Sequence, residues 1–172
     1  PLFKSQQFTH TTQLLKQALE NPSASFKSGQ LEAIEAVVRH NHRTLVVQPT
    51  GWGKSMVYFI ATKLLRERGS GTALMISPLI ALMRDQVRAA KNVGLTARFI
   101  DYEIEDEARQ DTISLIIEGQ LDLLLISPEQ LKKDYLRELE FSFLIIDEAH
   151  CISDWGHDFR PEYMQIGQFL PE

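Results

Sequence analysis

Gln48-Pro49-Thr50-Gly51-Trp52-Gly53-Lys54-Ser55 sets two glycines, a lysine and a hydroxyl in the order that a phosphate cradle requires. Glycines let backbone N–H groups turn inward around phosphate oxygens, and the helix that follows adds the positive end of its dipole. Lysine balances the β- and γ-phosphate charge, and the hydroxyl ligates Mg²⁺. Lys54 and Ser55 fill those two roles, with Thr50, Gly51, Trp52 and Gly53 forming the loop. A strict Walker pattern has Gly where this chain has Gln48, so the match rests on Gly51, Gly53, Lys54, Ser55 and a strand-before, helix-after setting. Trp52 has no chemistry of its own in such a loop, and a packing role is the reading for it.

A second constellation follows the apolar run Phe141 to Ile146, where Asp147-Glu148-Ala149-His150 stands at a strand's carboxyl end. Ligands of open parallel sheets bind there. Asp147 is suited to hold Mg²⁺ through water, and Glu148 to orient and polarise the water that attacks a γ-phosphate. His150, Cys151 and His157 fit no usual four-ligand zinc spacing.

Positioning these residues calls for an α/β fold. Five short apolar runs read as strands: Thr44 to Gln48, Thr72 to Ser77, Ala97 to Asp101, Asp122 to Ser127 and Phe141 to Asp147. Amphipathic stretches lie between them, among them Leu82, Met83, Val87, Ala90 and Val93, and then Ile104, Ala108, Leu115 and Ile116. The expected architecture is a mostly parallel β-sheet with helices on both faces. Two helices precede the first strand, carrying Leu14, Leu15, Ala18 and Leu19 and then Leu31, Ile34, Val37 and Val38, with a break at Asn21-Pro22-Ser23. The acidic stretch Asp101 to Asp111 reads as a solvated helix face.

The 172 residues suit one ordinary domain, and 44% apolar with 24% charged residues excludes disordered, collagenous and coiled-coil classes. No apolar run approaches the ~20 residues of a membrane span, and a soluble intracellular protein without a membrane partner is expected. The single cysteine excludes an internal disulfide framework. A net charge of −5 argues against a generally basic nucleic-acid coat, though not against a local groove. Two strand ends share the sequence Ile-Ser-Pro, at Ser77-Pro78 and Ser127-Pro128. Ser at N-cap and Pro at the first helical position explain these as helix starts. A helix N-terminus equally offers N–H groups to a DNA phosphate.

Taken together, the motifs resemble those of the first RecA-like motor domain of RecQ-family superfamily 2 DNA helicases. Phe26-Lys27-Ser28-Gly29-Gln30 is similar to the family's adenine-reading motif, Thr50 to Ser55 to motif I, and Ser77 to Gln86 to motif Ia. Ser127-Pro128-Glu129 and Asp147 to His150 match the next strand-end motifs, and Cys151 to Tyr163 is similar to the aromatic-rich loop of RecQ-type enzymes. The resemblance implies a P-loop RecA-like domain over 1–172, with N-terminal helices and the adenine motif in 1–43 and the P-loop core in 44–172. It implies ATP and Mg²⁺ as cofactors, Lys27 and Gln30 at the nucleotide, and 3′-to-5′ translocation on single-stranded and partly duplex DNA in repair or recombination. It implies DNA contact or coupling through Ser77, Pro78, Leu79, Ser127, His150, Trp155, Phe159 and Arg160, the aromatics offering stacking faces. Cytoplasm with the nucleoid in a bacterium, or the nucleus in a eukaryote, is the implied location.

The family often has arginine where Lys27 follows Phe26, and the upstream segment Asn21 to Ser25 has no aromatic to stack on a base. Only 25 residues follow Asp147, so a second RecA-like domain is expected elsewhere in a longer chain. The residues also suit a nucleotide-gated DNA-binding module that does not unwind, or an RNA-directed DEAH-type ATPase.

Overall fold

The computed structural model describes residues 2–153 and 159–169, with side chains from residue 5 onward. The chain divides into two bodies, Pro1–Ser70 with Arg88–Leu95, and Gly71–Val87 with Thr96–Glu172.

The first body is built on α1 (Leu2–Ala18), α2 (Gln30–Val38) and α3 (Lys54–Glu67). Leu14 and Leu15 of α1 and Ala33, Ile34 and Val38 of α2 are buried, as their helical spacing requires. In mid-α3, Phe59, Ile60 and Ala61 are consecutive and fully buried, so this helix is the centre of the body. Asn21 ends the first helical segment by accepting the Ser23 N–H on its side chain at 2.9 Å. Arg68 donates to the Val38 carbonyl at 2.7 Å, satisfying one of the orphan acceptors at the end of α2.

The expected strand at Thr44 to Gln48 does not form. These residues have no ladder partner among the described residues, and Leu45 and Val47 are 76% and 80% exposed. Strand propensity expresses packing on a half-buried pleated surface, and without a neighbouring strand these branched side chains have nothing to pack on.

The second body holds β1 (Ala73–Ile76), β2 (Ala97–Ile100), β3 (Leu123–Ile126) and β4 (Phe143–Ile146), all paired in parallel in the order β2-β3-β1-β4. β1 and β3 are central and buried at every position, which is why both read as unbroken apolar runs. The edge strands β2 and β4 are only partly buried. The remaining helices are α4 (Met83–Asn92), α5 (Asp106–Ile117) and the single-turn α6 (Asp134–Arg137), with α4 continuing from this body into the residues of the first. Leu121, Leu131, Leu136, Cys151 and Tyr163 complete a core around Leu74 and Leu124. Among the described residues no helix is long and apolar enough to cross a membrane.

The acidic stretch divides. Asp101 is buried and accepts the Glu103 N–H at 3.0 Å in a local turn, whereas Asp106 and Glu107 sit in the first turn of α5, where they complement the helix dipole. The turn after Ser127 starts as expected in position, with Ser127 at its N-cap and Pro128 first, whereas the start after Ser77 differs. The first 3-10 turn, Ile80–Leu82, is entered from Leu79, so Pro78 is not its first residue, and neither serine hydroxyl caps its helix. Both hydroxyls bond carboxylates instead.

Leu125→Ala in fully buried β3 is expected to cost about 2–5 kcal/mol, while Val47→Ala stays within about 0.5 kcal/mol. Denaturant titration of both variants checks this, and a Val47→Ala cost equal to that of Leu125→Ala would place residues 44–48 in a packed strand.

Candidate active site

In the first body, Gly51 and Gly53 have φ of +84° and +101°, a left-handed backbone that other residues adopt only at a cost. Gly53 directly precedes α3, so the loop leads straight to the helix N-terminus, as an anion cradle requires. A Cβ at Gly51 would meet nothing within 4 Å, so the loop is open there. A Cβ at Gly53 would stand 2.6 Å from Gln30 Nε2.

That approach is close because Gln30 is built into the loop. Its side chain is buried, accepting the Lys27 N–H at 2.8 Å and donating to the carbonyls of Gly53 at 3.1 Å and Trp52 at 3.3 Å. Lys27 Nζ donates to the Gly51 carbonyl at 2.9 Å, and Lys54 Nζ to the Gln48 carbonyl at 2.6 Å. The Trp52 ring lies against Gly29. Thus Lys27, Gln30, Gly51, Trp52, Gly53 and Lys54 form one connected group, with exposed Thr50 and half-buried Ser55 on either side in sequence. The sequence reading gave Gln30 to the base edge; in this structure it braces the phosphate loop. Lys54 donates to the neutral carbonyls of Gln48 and Pro49, for which an anionic phosphate would be a stronger acceptor.

In the second body, Asp147 follows β4 and is held at three points. Its N–H donates to the Ile76 carbonyl at 2.9 Å, its Oδ2 accepts the Ser77 hydroxyl at 3.2 Å, and its carbonyl accepts the Tyr163 hydroxyl at 3.2 Å. Glu148 has φ +53°, and its Oε2 lies 3.2 Å from His150 Nδ1. Ser77, Pro78 and Ser127 are buried, and Ser127 bonds the Glu129 carboxylate. Neither serine hydroxyl is therefore presented outward, whereas Leu79, His150 and Arg160 are exposed and Phe159 is half-buried. Trp155 lies outside the described residues. Hydroxyl and carboxylate oxygens are the hard donors that Mg²⁺ takes; Ser55 in the first body carries one kind and Asp147 in the second the other. Sequence reasoning missed Tyr163, which it treated only as the end of an aromatic-rich segment. Burial pushes its phenol up from the ordinary range, so it remains a protonated donor.

The model of the family described as DEAD/DEAH box helicase matches residues 27–172. The chain belongs to that family. ATP-dependent DNA helicase RecQ of Haemophilus influenzae is 41% identical over 169 residues, covering 90% of this chain and 26% of that protein. RecQ of Bacillus subtilis is 41% identical over 145 residues, 82% of this chain and 24% of that protein. ATP-dependent helicase SGS1 of Saccharomyces cerevisiae is 38% identical over 156 residues, 86% and 11% respectively. The chain spans about a quarter of these bacterial helicases. The crystal structure of a hypothetical ATP-dependent RNA helicase from Sulfolobus tokodaii superposes with a TM-score of 0.64 over 91% of this chain and 47% of its own; at 21% identity it shows the shared DEAD/DEAH fold alone.

Lys54→Ala should weaken ADP tenfold or more, given ~1.5–3 kcal/mol for a charge-assisted hydrogen bond. Gly53→Ala should do likewise, because its φ and the contact with Gln30 both oppose a side chain. Calorimetric titration showing wild-type ADP affinity in either variant would contradict the cradle.

Proposed function

We propose that this chain is the ATP-binding part of the motor of a RecQ-type DNA helicase, which couples ATP hydrolysis to 3′-to-5′ movement along single-stranded DNA and to unwinding of partly duplex DNA. The identity of 41% with a RecQ helicase across 90% of this chain carries the reading, and the braced glycine loop supports it. Work in repair and recombination, in the nucleoid or the nucleus, follows from the same relationship.

Within this reading Lys54 holds the β- and γ-phosphates, and Gln30 changes partner from loop carbonyls to the adenine edge as nucleotide enters. Ser55 and Asp147 are the residues that would offer oxygen to Mg²⁺, which would supply positive charge against that developing on the phosphates. Glu148 orients the attacking water and takes its proton. DNA meets exposed Leu79 and Arg160 and the N–H groups at the strand ends, contacts that read the backbone and not the sequence. Trp155 and Phe159 offer stacking faces to unpaired bases, and His150 links this segment to Glu148. A second RecA-like domain of the full-length chain supplies an arginine finger, an effect worth ~10³–10⁵ in rate. The 172 residues alone therefore bind ATP with almost no turnover.

Phosphate release by the full-length protein should rise at least tenfold with single-stranded DNA or duplex DNA bearing a 3′ tail, and little with RNA. Equal stimulation by RNA would favour the RNA-directed ATPase. DNA binding with no stimulated hydrolysis would favour the nucleotide-gated module.

A further inference from the structure

A closed circuit of hydrogen bonds joins the backbone of Asp147 and Glu148 to Tyr163. The Cys151 N–H donates to the Glu148 carbonyl at 2.9 Å, the Arg160 N–H to the Cys151 carbonyl at 3.0 Å, and the Tyr163 N–H to the Arg160 carbonyl at 3.0 Å. The Tyr163 hydroxyl then closes it on the Asp147 carbonyl at 3.2 Å. The Tyr163 ring is 1% exposed and sits in the core with Cys151 and Ile166, so the hydroxyl approaches from a fixed direction.

The carbonyl it meets is not an arbitrary one. The Asp147 C=O belongs to the peptide unit whose nitrogen is that of Glu148, and rotation of this unit sets φ of Glu148. That φ is +53°, which costs a residue with a Cβ free energy unless the surroundings hold it. Asp147's N–H and side chain are fixed by Ile76 and Ser77, but neither bond controls this peptide plane. The bond from Tyr163 acts on it directly.

We propose that Tyr163 is a positioning residue for hydrolysis: its hydroxyl pins the Asp147–Glu148 peptide, holds Glu148 in the left-handed conformation and so aims the Glu148 carboxylate. Loss of the hydroxyl frees the peptide to rotate toward an ordinary negative φ, which redirects the side chain while the tyrosine's packing in the core stays. A buried tyrosine that merely satisfies its own hydroxyl would affect stability and leave the chemical step alone. The inference rests on the proposed role of Glu148, and its test separates the two.

In the full-length protein, Tyr163→Phe keeps the ring and removes only the donor. Single-turnover hydrolysis, at enzyme in excess over radiolabelled ATP, is compared for wild type, Tyr163→Phe, Glu148→Gln and the double variant, together with steady-state KM and melting temperature. Tyr163→Phe is expected to lower the hydrolysis rate about tenfold or more, the scale of a misplaced reacting group, with KM for ATP and melting temperature near wild type. In the Glu148→Gln background the same change should cost nothing further, because its target is gone. Wild-type hydrolysis in Glu148→Gln would overturn the role of Glu148 itself. With Glu148→Gln inactive, the assignment to Tyr163 is overturned by an unchanged rate in Tyr163→Phe, by an equal fold-loss in both backgrounds, or by a loss that follows the melting temperature.

Discussion

The second body depends on the register of its parallel sheet. Ile100, Ile126, Ile76 and Ile146 are paired in one row across β2, β3, β1 and β4. Each strand continues into a polar residue, so Asp101, Ser127, Ser77 and Asp147 form the next row, three of them buried. Because side chains alternate between faces, a slip of one residue in any strand would remove its member from that row. The ladder itself runs one step past the isoleucines, through the Ser77 N–H to the Ile126 carbonyl and the Asp147 N–H to the Ile76 carbonyl. Hydrophobic burial of the central strands, with the register they impose on β4, thereby sets where the Asp147 carboxylate stands, and the bond from Ser77 then holds it there.

The first body meets a different constraint. A glycine-rich loop turns N–H groups toward a ligand, and its carbonyls must then face elsewhere. Lys27, Gln30 and Lys54 supply donors to the carbonyls of Gly51, Trp52, Gly53 and Gln48, so the loop is satisfied without nucleotide. On the proposed roles of Lys54 and Gln30, nucleotide would exchange for these carbonyl partners, so its net free energy would be smaller than the gross attraction between ammonium and phosphate.

Much of this was legible in the residues. Four strands, the helices α1 to α5 and the loop before α3 followed from apolar periodicity and from glycine and lysine spacing, because these report local conformation and burial directly. Residues 44–48 misled because Leu45 and Val47 have strand-forming side chains, while strand formation is decided by a partner that local sequence does not contain. The Ser-Pro pair was a sound positional signal at Ser127, which stands at the N-cap, but at Ser77 the turn begins two residues later, and each hydroxyl donates to a carboxylate, Asp147 or Glu129, that local sequence rules do not weigh. Tyr163 left no signal, since its hydroxyl bonds a backbone carbonyl sixteen residues away and backbone acceptors are the same at every position.

If the strand-end row presents Asp147 for chemistry, the charge of its carboxylate, and not its shape, drives hydrolysis. Asp147→Asn in the full-length protein conserves shape and removes that charge, so the most direct measurement is its single-turnover rate of ATP hydrolysis at saturating Mg·ATP and DNA. The rate is expected to fall at least a hundredfold while the melting temperature stays near wild type. A variant that hydrolyses ATP within a few-fold of wild type would remove Asp147 from the hydrolytic machinery.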